Sequence, residues 1–515
     1  DVLRNADASV VLRGVETITG LRSIEPCGDL DALQRGVAPP PVESIEAITD
    51  VRAEVQAALV LDRAGRTQSA QARFEDAVAR AEALGWRPLQ VELEAARQRL
   101  SRPHGDATAE AKRLRGVLDT ALAVGDLRSA LEIANDLGWQ WGYLEHDRDR
   151  GLEWIATARA LAEQIDFDWL TEVRVLNNEA VIRAAALDFD GAAPLFERAL
   201  ALAEEHDHDG LRPVQLRANL AAFWAERGEY RRAADLLEAT REGYQALIGD
   251  NHPRIGDVYA NLGSAYLMLA DPERAATSFD RAQAIFDPIL PPDHPQRAHV
   301  LSGRATLERM RGNRARAIEL AREALAMRRT LKQDREVAHA STNLATALLD
   351  GDRDGPEVLA EADALAVAAF EIMKDGPPGL RFTPLALRID IALRRNDVAD
   401  ATALLESLTS AVAQTELTGE KRLSLHVLAV RTGLARHDDA AVKAAIDAGE
   451  AELLRSAELL PLPTELFALA EGRWELDYDR PRAIELAARS LAILEKRNDV
   501  SGRRDEVREW LRDKQ

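Results

Sequence analysis

The chain has 515 residues, 46% of them hydrophobic and 30% charged, with a formal net charge of −21. It is too long for one compact core, which stops growing near ~250–300 residues. The acidic balance repels phosphate backbones and anionic lipid, so neither nucleic acid nor a membrane surface is expected as the main partner.

Along the chain, the first 36 residues stand apart from the rest. They give a helix from Val2 to Thr19 and then the stretch LRSIEPCGDLDALQRG, with Cys27 as the only cysteine. A lone cysteine allows no internal disulfide. A buried free thiol and pairing with a cysteine upstream are the two readings of Cys27. The sequence opens on Asp1 rather than methionine, and we expect further chain before it. Residues 37–42 (VAPPPV) form a proline-stiffened linker.

From 43 to 500 the chain reads as helices separated by short polar breaks, with no run of ~18 apolar residues that could cross a bilayer. The pattern gives about eleven helical hairpins, beginning near residues 43, 88, 127, 169, 213, 253, 295, 335, 382, 419 and 463. Residues 501–515 close the chain as a polar capping helix. The fold class expected is all-α, a right-handed α-solenoid in which each hairpin packs on its neighbours.

Within a hairpin, Leu262, Gly263 and Tyr266 have counterparts in Leu220, Ala221 and Trp224, and in Leu137, Gly138 and Trp141. The second helix repeats Ala275, Phe279 and Ala282 as Ala192, Phe196 and Ala199, and as Ala70, Phe74 and Ala77. Small residues at Gly263 and Ala275 let two helices approach, while Tyr266 and Phe279 fill the space between them. Breaks such as Ala270-Asp271-Pro272, Gly312-Asn313-Arg314 and Gly65-Arg66-Thr67 reverse the chain.

With Val258, Leu262 and Tyr266 set toward the core, Asp257, Asn261, Ser264 and Met268 form a separate stripe. Its equivalents are Gln215, Asn219 and Glu226; His299, Thr306 and Met310; and His339, Asn343, Thr346 and Asp350. Asn178 belongs to the same series, Asp136 takes the asparagine's place one repeat earlier, and Gly303 takes it in the seventh. First helices line the concave side of a curled array. An amide there can donate to and accept from an extended peptide backbone. It can equally cap a polar group of the adjacent repeat, and the recurrence fits both. The acidic neighbours Asp257, Glu226 and Asp350 favour a neutral or basic ligand.

No catalytic motif is present: there is no phosphate-binding glycine loop, nucleophile elbow or His-Glu-x-x-His. His206-Asp207-His208-Asp209 falls in a loop without ligands at helical spacing, and is read as solvated loop, not a metal site. Trp139, Trp141, Trp154 and Trp169 are read as core packing. No catalytic residue, metal or cofactor is therefore assigned.

The small, aromatic and turn positions resemble the tetratricopeptide repeat. The longer spacing of about 42 residues, with Asn251-His252-Pro253 and Asp293-His294-Pro295 opening repeats, resembles the kinesin-light-chain variety. That resemblance implies a protein-interaction module in which Asn178, Asn219, Asn261 and Asn343 hold the backbone of a bound peptide. Residues 1–100 also resemble the C-terminal region of large bacterial transmembrane Ser/Thr protein kinases, in which a repeat array lies outside the membrane. This implies a sensory or partner-binding region, extracytoplasmic, that can self-associate. No kinase residue carries over, since neither His-Arg-Asp nor Asp-Phe-Gly occurs. The rival expectation is a free-standing cytoplasmic scaffold that uses its convex or end surfaces.

Overall fold

Alanine, leucine, glutamate and arginine dominate the chain, and all four favour helix. The structure, a computed structural model, describes residues 37, 39–63, 67–97, 100, 107–145, 147–165, 168–331, 334–350, 355–374, 376, 378–413, 417–455, 463–496 and 503–514. The N-terminal segment with Cys27 and the break at 64–66 lie outside these residues. Among the described residues the secondary structure is helical, without strands.

The helices follow in pairs. They run α1 (Ile45–Arg63) and α2 (Thr67–Leu84), α3 (Arg87–Arg97) and α4 (Ala107–Ala123), α5 (Leu127–Trp139) and α6 (Arg148–Ala162). Next come α7 (Trp169–Ala185) and α8 (Phe189–His206), α9 (Leu211–Arg227) and α10 (Tyr230–Ile248), α11 (Pro253–Met268) and α12 (Pro272–Phe286). Then follow α13 (Pro295–Met310) and α14 (Arg314–Thr330), α15 (Asp334–Leu348) and α16 (Pro356–Met373), α17 (Phe382–Arg394) and α18 (Val398–Val412). The series ends with α19 (Gly419–Arg436) and α20 (Asp439–Arg455), α21 (Pro463–Glu475) and α22 (Arg480–Lys496), and the single α23 (Arg503–Lys514). Among the described residues these are the expected helical hairpins, eleven pairs and a final helix, with first helices starting within two residues of the positions read from sequence.

Local chemistry sets the breaks. Ala270 adopts φ 56°, and its N–H donates to the Leu267 carbonyl at 3.0 Å. The following Asp271 caps α12 by accepting from the Arg274 amide at 3.1 Å. A left-handed residue ends one helix and a carboxylate opens the next. The same pairing recurs at Leu187-Asp188 and Asn396-Asp397. Proline occupies the first turn of α12 and α13, where its missing N–H costs nothing. His294 completes the start of α13, its Nδ1 accepting from the Gln296 amide at 3.3 Å.

The chain divides into two compact units, Asp1–Leu220 with Gly243–His252, and Ala221–Glu242 with Pro253–Gln515. In the first, Ile48, Val51, Phe74 and Leu89 make one buried cluster. Leu131, Ile133, Leu137, Ile155 and Ile182 make a second. In the second unit, Phe279 is fully buried between α11 and α12. Gly263 explains the fit: a Cβ there would come within 2.6 Å of the Phe279 ring. Burial of one such phenylalanine contributes roughly 2–3 kcal/mol. Tyr266 on α11 is also buried, its hydroxyl donating to Glu238 at 2.9 Å and its ring covered by Arg274 at 4.0 Å.

One element was not expected. Gln140–Leu144 continues α5 as a π turn. Trp141, read as core, is half-buried and packs against the second cluster of the first unit, with the Arg150 guanidinium over its ring at 4.1 Å. Trp139, the last residue of α5, stacks on Tyr143 of this turn at 4.4 Å.

Candidate functional site

The stripe of polar residues on the first helices occurs in both units, which are taken separately. In the first, Asn219 on α9 is exposed and donates from Nδ2 to Oδ1 of Asn177 on α7 at 3.0 Å, 42 residues earlier. The partner is thus Asn177 and not its neighbour Asn178, which is half-buried. Continuing back by the same interval leads to Asn135 on α5, which is 1% exposed and whose Oδ1 has no hydrogen-bond partner. Sequence reading missed Asn135 and Asn177, although strict spacing from Asn219 reaches both. Asp136, offered as the asparagine's substitute, lies 3.7 Å from Arg174. Gln215 accepts from Arg212 at 3.2 Å.

In the second unit, Asn261 on α11 and Asn343 on α15 are exposed, and neither has a hydrogen-bonded side-chain partner among the described residues. Asp257 is half-buried and Met268 is 38% exposed. Ser264 turns its hydroxyl to the Ala260 carbonyl at 3.1 Å and meets His299 Nε2 at 3.5 Å. Burial, followed by the charge of Arg328, pushes His299 below its ordinary value, so it is neutral at pH 7. Thr306 donates to the Ser302 carbonyl at 3.2 Å. Gly303 does not replace an asparagine on the stripe. It lies against the Phe279 ring, which leaves no room for a Cβ, so the position was chosen for size.

Glu226 and His339, both exposed, belong to a group that the sequence does not bring together. Glu226 at the end of α9 interacts with Arg335 on α15 and Lys421 on α19. His339 senses Arg335, Glu336 and Lys421. Tyr230, first residue of α10, donates its hydroxyl to Glu420 Oε2 at 3.3 Å, across 190 residues of sequence. First helices of the fifth, eighth and tenth pairs therefore face one another. Glu226 and His339 touch water yet stand among protein on several sides. Desolvation raises Glu226 and Glu420 above the usual carboxylate range and lowers Lys421, with the opposite charges of the group only partly offsetting it. His339 is lowered chiefly by the same desolvation.

No group of three or more His, Cys, Asp or Glu side chains suited to a metal ion occurs among the described residues. His206 stacks on Trp169 at 5.4 Å, and His208 is solvent-exposed. No helix among the described residues is long and apolar enough to cross a membrane. What the stripe offers is hydrogen bonding and charge.

Paired helices, small residues where they cross and an aspartate-capped break define an α-helical repeat protein. Within it, family models described as tetratricopeptide repeat match residues 214–287 and 297–334. The fold is similar to a Rap protein complexed with competence and sporulation factor, with TM-score 0.51 and 12% identity over 71% of this chain and 98% of that one. BtubC (BKLC) from P. vanneervenii matches with TM-score 0.34 and 20% identity over 45% of this chain and 92% of that one. Nearly identical TPR-like repeats of a Podosopora anserina kinesin light chain match with TM-score 0.34 and 18% identity over 39% and 96%. No curated protein sequence matches the chain.

Proposed function

We propose that this chain is a non-catalytic module that binds a protein or peptide segment along the first-helix stripe. The observation that carries the reading is the pair Asn261 and Asn343. Both amides are exposed in mid-helix without a hydrogen-bonded partner among the described residues. Asparagine there costs roughly 0.5 kcal/mol of helix propensity against alanine, and no local bond returns that cost. A ligand backbone lying along the stripe would receive both a donor and an acceptor from each amide. Glu226 and Asp257 beside the stripe favour a neutral or basic segment. The likeness to a Rap protein complexed with competence and sporulation factor supports a fold able to hold a partner. In this reading the array is the extracytoplasmic sensory region of a bacterial transmembrane Ser/Thr kinase, where gathering two chains raises the effective concentration of their kinases.

A second reading is favoured by the Asn219–Asn177 bond, which spends one amide on the adjacent repeat. Under it the stripe is structural and the module is a scaffold acting through other surfaces. The triple variant N219A/N261A/N343A separates the two. Binding to immobilised synthetic 12-residue peptides carrying a net positive charge should fall at least tenfold with helicity unchanged. Undiminished binding by the folded variant would leave the scaffold.

A further inference from the structure

The bond from Tyr230 to Glu420 spans 190 residues, whereas that from Asn219 to Asn177 spans 42. A tetratricopeptide array is built from nearest-neighbour contacts, so a bond over five pairs of helices needs its own account. Three features mark the place. The α9–α10 break comes so close to α19 that a Cβ on Gly228 would lie 3.7 Å from the Thr418 Cβ. Thr418 caps α19, its hydroxyl accepting from the Lys421 amide at 3.4 Å. Glu226 and Lys421 bring opposite charges to the same spot.

We propose that this contact is a clasp that closes the inner face of the second unit, and that it must open for a ligand to reach Asp257, Asn261 and Asn343. The proposal rests on the stripe being a ligand site. A clasp must be weaker than the array it closes, and its composition meets that condition. It is polar, whereas neighbouring pairs are joined through buried Leu320, Leu344 and Leu359 or Leu404, Leu408 and Leu428. Taking charged groups from water offsets most of what their attraction supplies. Small contacts of this kind open locally before a hydrophobic core does. Glu226 and Tyr230 from α9 and α10 meet Glu420 and Lys421 from α19, with Arg335 of α15 beside them, and this mix of carboxylates and cations also makes the opened clasp a place where a basic segment could exchange with the protein's own cations.

The separation suggests its own test. Disulfides require Cβ atoms about 3.5–4.5 Å apart, so C27S/G228C/T418C should cross-link under mild oxidation. Gly228 has φ 91°, which strains any substitution there. Comparing the oxidised and reduced forms of one protein cancels that strain. The probe is a pool of synthetic 12-residue peptides with net positive charge, followed by fluorescence anisotropy. The reduced form should bind, and the oxidised form should associate at least tenfold more slowly. Equal association by both forms overturns the clasp, as does failure to cross-link. If neither form binds, the ligand-site reading fails. Small-angle scattering then decides the clasp: a larger radius of gyration for the reduced form supports it, and identical profiles overturn it. The variant Y230F/E420Q, which leaves Gly228 intact, should associate faster than the wild-type chain, and no acceleration counts against the proposal.

Discussion

Asn219 on α9 hands one amide hydrogen to the oxygen of Asn177 on α7 across 3.0 Å. The bond joins one first helix to the preceding one at an exposed seam. It uses one donor of Asn219 and one acceptor site of Asn177, so each amide keeps further capacity. A seam bond and a ligand bond are therefore compatible on the same side chain.

Loss of that bond should be modest. N219A exposes nothing buried and removes one neutral hydrogen bond, so about 0.5–1.5 kcal/mol of stability should disappear. A double-mutant cycle with N177A in urea unfolding checks it. A coupling energy indistinguishable from zero would mean that the two amides do not support each other in solution.

Phe279 should matter far more. F279A empties the space bounded by Gly263 and Gly303, and a buried phenylalanine replaced by alanine costs about 3–5 kcal/mol. G263V, which instead pushes two methyl groups at the intact ring, should also destabilise. Denaturation midpoints of both variants, with the slopes unchanged, test the packing.

Two carboxyls give opposite limbs to the pH profile. Burial, followed by the nearby Glu506, raises Glu471 to about 7, with Glu475 adding to the rise and Arg431 partly offsetting it. Its folded value lies above the unfolded one, so its contribution is full below about 4.5 and is lost as pH rises through about 7. E471Q should flatten that limb and stabilise the protein at pH 8 by roughly 1–2 kcal/mol, allowing for partial exposure. For Asp390, burial pushes upward but Arg431 and Arg394 outweigh it and hold the group below its ordinary value. Its contribution is present above the unfolded value and is lost on acidification through the folded one. D390N should therefore destabilise at pH 7, and the gap between variant and parent should narrow on acidification through the folded value. Melting temperatures from pH 2 to 9 read both limbs.

The final helix covers the end of the array. Val507 is fully buried and Leu511 is 7% exposed, while Trp510 meets Phe467 and Trp474 edge-on at 5.6 and 5.5 Å. Removing residues 503–514 uncovers this apolar end, which has no partner of its own. We expect the truncated chain to self-associate or precipitate at concentrations where the parent does not, as read by light scattering.

Helix starts were legible because they are written locally. Pro253, Pro295, Gly419 and Pro463 begin helices where the sequence places them, since a proline or a capping side chain acts on its own turn. The amide stripe was legible only to within one residue, because two asparagines stand together at 177 and 178 and side-chain chemistry cannot choose between them. Gly303 was misread for another reason: its role is the absence of a side chain beside Phe279, which polarity patterns do not register. The π turn at Gln140–Leu144 carries no distinguishing composition. The meeting of Tyr230 with Glu420 depends on small rotations accumulated over five pairs, and no single stretch of sequence encodes such a sum.

The nearest-neighbour construction also fixes how such a chain would respond to being pulled. Load along the chain meets one seam at a time, so hairpins should yield in succession. Each event would release about 42 residues, or roughly 140 Å of contour at ~3.4 Å per residue. Where the Tyr230–Glu420 bond bridges several hairpins, that hydrogen bond must rupture before the segments it shields feel tension. The polar contact that closes the second unit is thus also a mechanical fuse, the element that decides when the spring beneath it begins to extend.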